Sequence, residues 1–378
     1  MSYKKKVIFV TSTRADFGKL KSLIRITKAD FKFKVKIVVT GMHLLKKFGS
    51  TYREVTKSFK SNVIKFGNQK SNDKLEIILY KTIKKFSEIV NLEKPDLIII
   101  HGDRVEALGC ATVGALNHIL TGHIEGGEIS GTIDDSIRHS ITKLSHVHFV
   151  GTKSAEKRVL SMGENKKNIF RIGSPDIDII LKKKLPKISI VKSRYGIKFN
   201  KYSILLWHPV TSKVDKLEFE TKKILNFCKS LNENFIVIYP NNDPGSSKIL
   251  NIYKSLNQRK FKKLRSLRFE HFLSLLKNAD FIIGNSSSAI YEAPLFGTPA
   301  INIGDRQYKR FDSKIIKNFE ISKINQDELR NYLRNYKSQI KYTHGTGQSD
   351  KKFIKIIKSN SFWKTSTQKF FSDIKKYS

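Results

Sequence analysis

Short runs of apolar residues, many of them β-branched, alternate along the chain with segments in which apolar residues recur every three or four positions. The runs predict buried strands, and the periodic segments predict amphipathic helices. Regular alternation of the two is typical of parallel sheets with helices on their faces. In the first half we predict strands over 7–11, 35–41, 96–103, 119–125, 147–151 and 168–175, with helices over 18–28, 105–117 and 135–146.

This alternation is interrupted over residues 181–202, which are rich in lysine and contain Pro186, and it then restarts. In the second half we predict strands over 203–209, 235–241, 280–288 and 299–304, with helices over 215–231 and 286–296. The pattern predicts an α/β fold with an N-terminal Rossmann-like domain (1–180), a linker (181–202) and a C-terminal Rossmann-like domain (203–362). Ligands bind at the carboxyl ends of parallel strands, so we expect an interdomain cleft to hold the ligand.

Composition narrows the class of protein. The 378 residues contain 39% hydrophobic positions, enough for two folded cores, and only two cysteines, which argues against a disulfide scaffold. No run is long enough for a signal peptide or a membrane span, so we expect a cytoplasmic protein. The net charge is +39, but the lysines are spread along the whole chain without an aromatic-basic motif. We therefore expect a field that attracts anionic metabolites, with no specific nucleic-acid partner.

One stretch departs from this basic composition. No lysine or arginine occurs between Arg104 and Arg138, whereas acids are frequent there: Asp103, Glu106, Glu125, Glu128, Asp134 and Asp135. Several of them follow predicted strands, so they converge on one sheet edge as an acid/base centre. Two alternatives remain open: helix capping by Asp103, and a metal site involving His101 and His123. No known metal-ligand spacing supports the second.

Other polar segments after strands have the chemistry of an anion site. Arg14 and Lys19 follow the first strand at a helix start, and GNSSS (284–288) precedes a predicted helix. Helix N-termini and cations bind phosphates, although the serines serve equally as helix caps. His208 follows a strand, and a structural role is the alternative for it. The chain has no GxGxxG or Walker motif, so a dinucleotide or P-loop site is not predicted.

The motifs together resemble the hydrolysing UDP-N-acetylglucosamine 2-epimerases, in particular the bacterial branch that serves sialic and legionaminic acid synthesis. The resemblance extends from residue 10 to about residue 310. It is carried by VTSTRADFGKLKSL, VTGMHLLKKFG, HGDRVEALG, HIEGGEISGTIDDSIRHSITKLSH, IGSPDID, HPVT, IYPNND, SLRFEHFLSLLKNADFIIGNSSSAIYEAP and GDRQ.

This resemblance implies a two-domain fold like that of the GT-B glycosyltransferases, with a C-terminal helix (363–378) that packs back on the N-terminal domain. It implies an acid/base set comprising Asp103, Glu125 and Asp134, assisted by His208. The implied substrate-binding residues are Arg14, Lys19, Arg104, Glu128, Arg138, Arg268, Phe272, Ser286, Ser287, Glu292 and Arg306. No metal or other cofactor is required, and we expect a homodimer or homotetramer, as relatives form.

The implied reaction removes the C2 proton of a nucleotide sugar, expels the nucleoside diphosphate, and hydrates the resulting glycal to the 2-epimer. A lysine inside the acid cluster would lower the pKa of the base, which offers a reason for the stretch without positive charge. Alternatives are the same chemistry on UDP-2,4-diacetamido-2,4,6-trideoxyglucose or GDP-N-acetylglucosamine, a GT-B glycosyltransferase, and a basic protein that binds an anionic polymer. A non-hydrolysing epimerase is less favoured, because the motifs match the hydrolysing branch.

Overall fold

The structure is a computed structural model, and it describes residues 4–70, 73–182, 185–307, 316–337, 345 and 347–373. The chain divides into two compact units. The first unit comprises the described residues of Met1–Glu128, Asp134–Lys183 and Thr343–Ser378. The second unit comprises those of Ile129–Ile133 and Lys184–Tyr342.

The first unit alternates strands with helices. Its strands are β1 (Lys5–Thr11), β2 (Phe33–Val39), β3 (Val63–Lys65), β4 (Leu97–His101), β5 (Leu120–Ile124), β6 (Val147–Val150) and β7 (Ile169–Arg171). Its helices are α1 (Arg14–Ala29), α2 (Tyr52–Phe59), α3 (Leu75–Glu93), α4 (Val105–Leu116), α5 (Ile133–Leu144), α6 (Lys153–Ser161) and α7 (Pro175–Lys182). A capping box of Thr13 and Asp16 fixes the start of α1 directly after β1.

The strands of this unit form one parallel sheet in the order β3-β2-β1-β4-β5-β6-β7. Alternate residues of β1 enter different cores, with Val7 and Phe9 on one face and Ile8 and Val10 on the other. Burial on both faces explains why the strands read as continuous apolar runs. The strand order reverses between β1 and β4, and ligands bind at the carboxyl ends of strands at such a switch point.

The second unit repeats this plan. Its strands are β8 (Ser203–Leu206), β9 (Phe235–Ile238), β10 (Phe261–Leu264), β11 (Ile282–Gly284), β12 (Ala300–Ile303) and β13 (Ile316–Phe319), in the sheet order β10-β9-β8-β11-β12-β13. Its helices are α8 (Ile188–Tyr195), α9 (Leu217–Ser230), α10 (Ser246–Lys254), α11 (Phe269–Lys277), α12 (Ser288–Tyr291), α13 (Ala293–Phe296) and α14 (Gln326–Asn335). The switch point lies between β8 and β11. Two Rossmann-like α/β units with parallel sheets confirm the predicted fold class.

The linker predicted over 181–202 contains α8, which begins after Pro186 and ends at Gly196 in a left-handed conformation. One local prediction for the second unit is wrong. The helix predicted over 286–296 is two four-residue helices, α12 and α13, that meet at Glu292. Pro294 causes this break, because it lacks an N–H group and clashes with a preceding helical turn.

The C-terminal helix predicted over 363–378 is also wrong for the residues described. The chain returns to the first unit through α15 (Ser349–Ile357) and α16 (Asn360–Trp363), and residues 365–373 are not helical. We call residues 364–373 the C-terminal tail. Ser366 bonds to the backbone of Gln368, and local bonds of this kind compete with helix formation.

The tail instead docks on the carboxyl end of α5. Lys369 Nζ donates to the carbonyl oxygens of Lys143 at 2.7 Å and Ser145 at 2.6 Å, and it lies 2.7 Å from Glu164 Oε2. The lysine thereby neutralises the negative end of the α5 dipole. Among the described helices, none is both long and apolar enough to cross a membrane.

Candidate functional site

Glu125 follows β5 and lies at the centre of a charged cluster in the first unit. Its Oε2 atom is 3.3 Å from Lys19 Nζ and 3.1 Å from His101 Nε2, and its Oε1 atom accepts a 2.7 Å hydrogen bond from Ser174. The residue has a left-handed backbone with a φ of 62°, which is uncommon outside glycine, asparagine and aspartate. Backbone strain of this kind clusters at functional sites, so Glu125 is a strong candidate for a chemical role.

Opposing effects set the protonation state of Glu125. Burial alone raises the pKa of its carboxyl group, but the Lys19 ammonium, His101 and the hydrogen bond from Ser174 outweigh burial and hold the pKa well below the usual glutamate value. Glu125 is therefore an ionised carboxylate at neutral pH. Lys19 also lies 2.8 Å from Asp176 Oδ2, so this predicted phosphate ligand is paired with two carboxylates.

The interpretation that positive charge is kept away from the acid cluster is thus wrong in three dimensions. The sequence stretch between Arg104 and Arg138 lacks cations, but α1 brings Lys19 to Glu125 from 106 positions away. Arg138 itself is buried in α5 and donates from Nη2 to Asp103 Oδ2. The acids of this edge are consequently held by cations that come from other elements.

Asp103 and Glu125 share one positioning group. Arg138 Nη1 donates a 3.0 Å hydrogen bond to the Glu125 carbonyl oxygen, while the other terminal nitrogen binds the Asp103 carboxylate. The capping alternative for Asp103 is not realised, because Arg104 is the N-cap residue of α4 and makes no side-chain cap bond. The side chain of Asp103 remains 23% exposed, which leaves it open to a substrate.

The two histidines of this edge differ, because His101 lies against the Glu125 carboxylate whereas His123 has a structural role. His123 is fully buried between the Gly102 carbonyl oxygen and the Thr142 hydroxyl, and burial lowers its pKa to about 3. A neutral imidazole with both nitrogens occupied is a structural residue. Within the described part of the chain, no group of three histidine, cysteine or acidic side chains is arranged to hold a metal ion.

The remaining predicted residues of the first unit have contacts of their own. Arg14 Nε is 3.0 Å from Glu54 Oε2, Arg104 Nε is 3.7 Å from the buried Glu106, and Glu128 accepts a 3.4 Å hydrogen bond from Thr152. Asp134 lies in the first turn of α5 beside Asp135. Because α5 begins at Ile133, these two acids lie inside the helix and do not cap it. The helix dipole favours negative charge in this first turn.

In the second unit, the predicted phosphate-binding residues cluster at the ends of β8, β11 and β12. His208 follows β8 and is 6% exposed. Ser286 and Glu292 come after β11 and are also buried. Ser287 is the N-cap of α12. Arg306 follows β12, and its Nη1 atom donates a 3.2 Å hydrogen bond to the carbonyl oxygen of Asn285.

Arg268 and Phe272, both predicted to bind the substrate, lie at the start of α11. Arg268 is the N-cap of that helix, and its backbone N–H group donates to the Tyr195 hydroxyl at 3.2 Å. Phe272 is 7% exposed and forms part of the buried face of α11. The sequence reasoning did not single out Glu54, Asp176 or Asn285, although IGSPDID and GNSSS contain the last two.

Comparison with known proteins assigns the family. The model of the UDP-N-acetylglucosamine 2-epimerase family matches residues 25–358. A UDP-N-acetylglucosamine 2-epimerase of Neisseria meningitidis serogroup B is 40% identical over 98% of this chain and 99% of its own length. A GDP/UDP-N,N'-diacetylbacillosamine 2-epimerase (hydrolyzing) of Campylobacter jejuni is 38% identical over 85% of this chain and 86% of its own.

Solved structures show the same fold. The crystal structure of UDP-GlcNAc 2-epimerase from Neisseria meningitidis bound to UDP-GlcNAc superposes with a TM-score of 0.78 at 20% identity, covering 94% of this chain and 100% of that one. The family match over most of the chain and the identity to full-length relatives confirm the predicted resemblance. The chain therefore belongs to the UDP-N-acetylglucosamine 2-epimerase family.

Proposed function

We propose that this protein is a hydrolysing 2-epimerase that converts UDP-N-acetylglucosamine and water to N-acetylmannosamine and UDP, for sialic acid synthesis. The observation that carries the proposal is the pair of acids Asp103 and Glu125, both held by Arg138 at adjacent strand ends. The 38% identical relative described as hydrolyzing supports the hydrolytic outcome. We also propose that the protein is cytoplasmic and acts as a homodimer or homotetramer.

The proposed reaction has two steps. A carboxylate takes the proton from C2 of the sugar, its electron pair forms the C1–C2 double bond, and the C1–oxygen bond breaks toward the diphosphate. UDP leaves, and 2-acetamidoglucal remains. Water then supplies a hydroxyl group to C1 while a proton is delivered to C2 on the other face, which gives N-acetylmannosamine. The two proton transfers need acids on two faces of the ring, and we assign them to Asp103, Glu125 and Asp134.

The environment of Glu125 determines what it contributes. An ionised carboxylate accepts a proton, but a pKa well below the usual value makes it a weak base. Lys19 is 3.3 Å away and is the group that sets this balance. In our proposal, Lys19 therefore serves the acid cluster as well as the leaving diphosphate. Asp103 and Asp134 are partly exposed to solvent.

The second unit supplies the nucleotide-binding residues in this proposal. Ser286, Ser287 and Arg306 bind the diphosphate, with hydroxyl groups and a cation that stabilise the negative charge that develops as UDP leaves. His208 assists at the leaving oxygen. Glu292 binds the ribose, and the segment that includes Arg268 and Phe272 contacts the base. In the first unit, Arg14, Arg104 and Glu128 complete the set.

The test is incubation of the purified protein with UDP-N-acetylglucosamine in D2O, followed by proton NMR. Release of UDP together with N-acetylmannosamine deuterated at C2 is the expected result. UDP-N-acetylmannosamine without free UDP would assign the protein to non-hydrolysing epimerisation. No turnover by folded protein on any tested nucleotide sugar, with salt-dependent binding to DNA, would instead support the anionic-polymer alternative.

A second candidate substrate is a nucleotide-linked 2,4-diacetamido sugar, favoured by the name and the 38% identity of the Campylobacter relative. The same acids serve that chemistry, because C1 and C2 are alike in both sugars. Parallel assays with UDP-N-acetylglucosamine, UDP-N,N'-diacetylbacillosamine and GDP-linked sugars separate the candidates by kcat/KM. The first substrate is expected to give the highest value.

A further inference from the structure

Asn285 lies at the switch point of the second sheet, where the chain leaves the paired strands β8 and β11 toward opposite edges of the sheet. The preceding residue, Gly284, has a φ of 141°, and a Cβ atom there would lie 2.1 Å from the Leu206 carbonyl oxygen. Only glycine permits so close an approach of the two backbones. This approach places Asn285 directly beside His208, the residue that follows the other strand by two positions.

The side chain of Asn285 is fully buried and uses both of its polar atoms on His208. Its Oδ1 atom accepts a 2.7 Å hydrogen bond from the His208 N–H group, and its Nδ2 atom donates a 2.8 Å hydrogen bond to the His208 carbonyl oxygen. This pairing fixes the amide orientation, because an N–H group needs an acceptor and a carbonyl needs a donor. The backbone of His208 is thus held on both sides.

The imidazole ring of His208 is fixed by a third contact. The backbone N–H group of Asn241, which follows β9, lies 3.1 Å from His208 Nδ1. A backbone amide can only donate, so Nδ1 must accept. In the neutral ring the proton is therefore on Nε2, which makes this nitrogen a hydrogen-bond donor.

The backbone carbonyl of Asn285 extends the network to the loop after β12. It accepts hydrogen bonds from Arg306 Nη1 at 3.2 Å and from Gln307 Nε2 at 2.8 Å. One residue therefore joins the imidazole that follows β8 to the guanidinium that follows β12. Both groups belong to the diphosphate site of the proposed function.

We propose that Asn285 is a positioning residue that presents His208 as an Nε2–H donor and holds Arg306 in register with it at the leaving diphosphate. The roles of His208 and Arg306 in this inference rest on the proposed function. The hydrogen-bond geometry is independent of that function. Asn285 itself does not touch the substrate. Its effect is on the placement of donor groups, and misplacement of about 1 Å costs on the order of 100-fold in rate.

The test uses the full-length Asn285→Ala and Asn285→Asp variants, with Asn302→Ala as the matched control. Asn302 is also a buried asparagine of this unit, 3% exposed, and it donates to Gly304 and Asn318 but not to His208. We expect kcat to fall by roughly 30- to 100-fold in both Asn285 variants. The Kd for UDP is expected to change by no more than about fivefold, and the control is expected to keep kcat within about threefold.

Nitrogen-15 NMR of the histidine rings supplies the second readout, with the His208 signals identified by their absence in His208→Gln. In the wild type we expect a protonated Nε2 and an unprotonated Nδ1, and in the Asn285 variants a mixture of tautomers. Folded Asn285 variants with kcat within twofold of wild type, or a wild-type His208 protonated at Nδ1, would overturn the inference.

The readouts also separate this inference from the proposed function. If wild-type protein binds UDP but does not turn over any nucleotide sugar, the proposed reaction fails while the histidine NMR still tests Asn285. If neither Asn285 variant folds, a wild-type His208 that is protonated at Nδ1 still overturns the inference, because Asn285 would then not present an Nε2–H donor.

Discussion

Replacement of Lys19 by methionine tests the central electrostatic arrangement of the first unit. The change removes the ammonium that lies 3.3 Å from Glu125 and 2.8 Å from Asp176. The side chain of Lys19 is 17% exposed and that of Glu125 is 14% exposed, so solvent compensates little for the loss. Methionine keeps most of the volume, and the effect is therefore one of charge.

The magnitude follows from the ion pair. Breaking a buried ion pair by removal of one partner costs about 3–5 kcal/mol, and the ties of Glu125 to His101 and Ser174 place this site at the lower end. Burial raises the pKa of the Glu125 carboxyl, and the Lys19 ammonium is the strongest of the groups that lower it, so the loss of this ammonium acts mainly on Glu125. We expect Lys19→Met to lose about 3 kcal/mol of unfolding free energy at pH 7, most of it through Glu125.

The loss depends on pH with a definite sign. In the wild type, the depressed pKa of Glu125 contributes stability above the unfolded value near 4.5, and that stability disappears as the pH falls through the lower folded pKa. In Lys19→Met, burial dominates and the folded pKa rises, so the carboxylate destabilises the fold at neutral pH. Protonation relieves this penalty, and the difference between the two proteins therefore shrinks as the pH falls from 7 toward 4.

Urea denaturation at several pH values between 8 and 4 measures this difference. Lys19→Arg keeps the charge and is expected to lose less than about 1 kcal/mol, while the exposed Lys222→Met controls for net charge alone. A penalty for Lys19→Met that is constant over this pH range, or equal to that of Lys19→Arg, would refute the electrostatic reasoning.

Three other perturbations have expected outcomes. Gly284→Ala should lower stability by at least about 2 kcal/mol, since its Cβ would lie 2.1 Å from a backbone carbonyl oxygen, whereas Gly67→Ala, with nothing within 4 Å, should leave the Tm nearly unchanged. Lys369→Met should destabilise the protein toward urea at pH 7. Burial raises the pKa of Glu164, but His148 and the lysines outweigh burial and lower this pKa to about 2. The loss should therefore fade as the pH falls toward about 2. Asp103→Asn should reduce kcat/KM by at least about 100-fold with unchanged Kd for UDP, and a Kd that rises in parallel would contradict its assignment to the chemical step.

Local sequence patterns determined most of the secondary structure. Runs such as VIFV and LIII are apolar at every position because both faces of each parallel strand are covered, and this property is readable without a structure. The order of strands and helices then predicted two Rossmann-like units. The errors occurred where a local pattern was interrupted, as at Pro294, or where tail residues bonded to a distant element, as Lys369 does with the carboxyl end of α5.

The candidate site divides in the same way. The sequence by itself placed Asp103, Glu125 and His208 at strand ends, because strand ends are visible as the points where apolar runs stop. Only the tertiary structure brought Lys19 to Glu125 and Asn285 to His208, across 106 and 77 positions of the chain. Such pairs depend on strand order, which crossover connections decide, and no local periodicity encodes it. The residue types at the site are thus a property of the sequence, whereas their charge states and hydrogen-bond partners are a property of the fold.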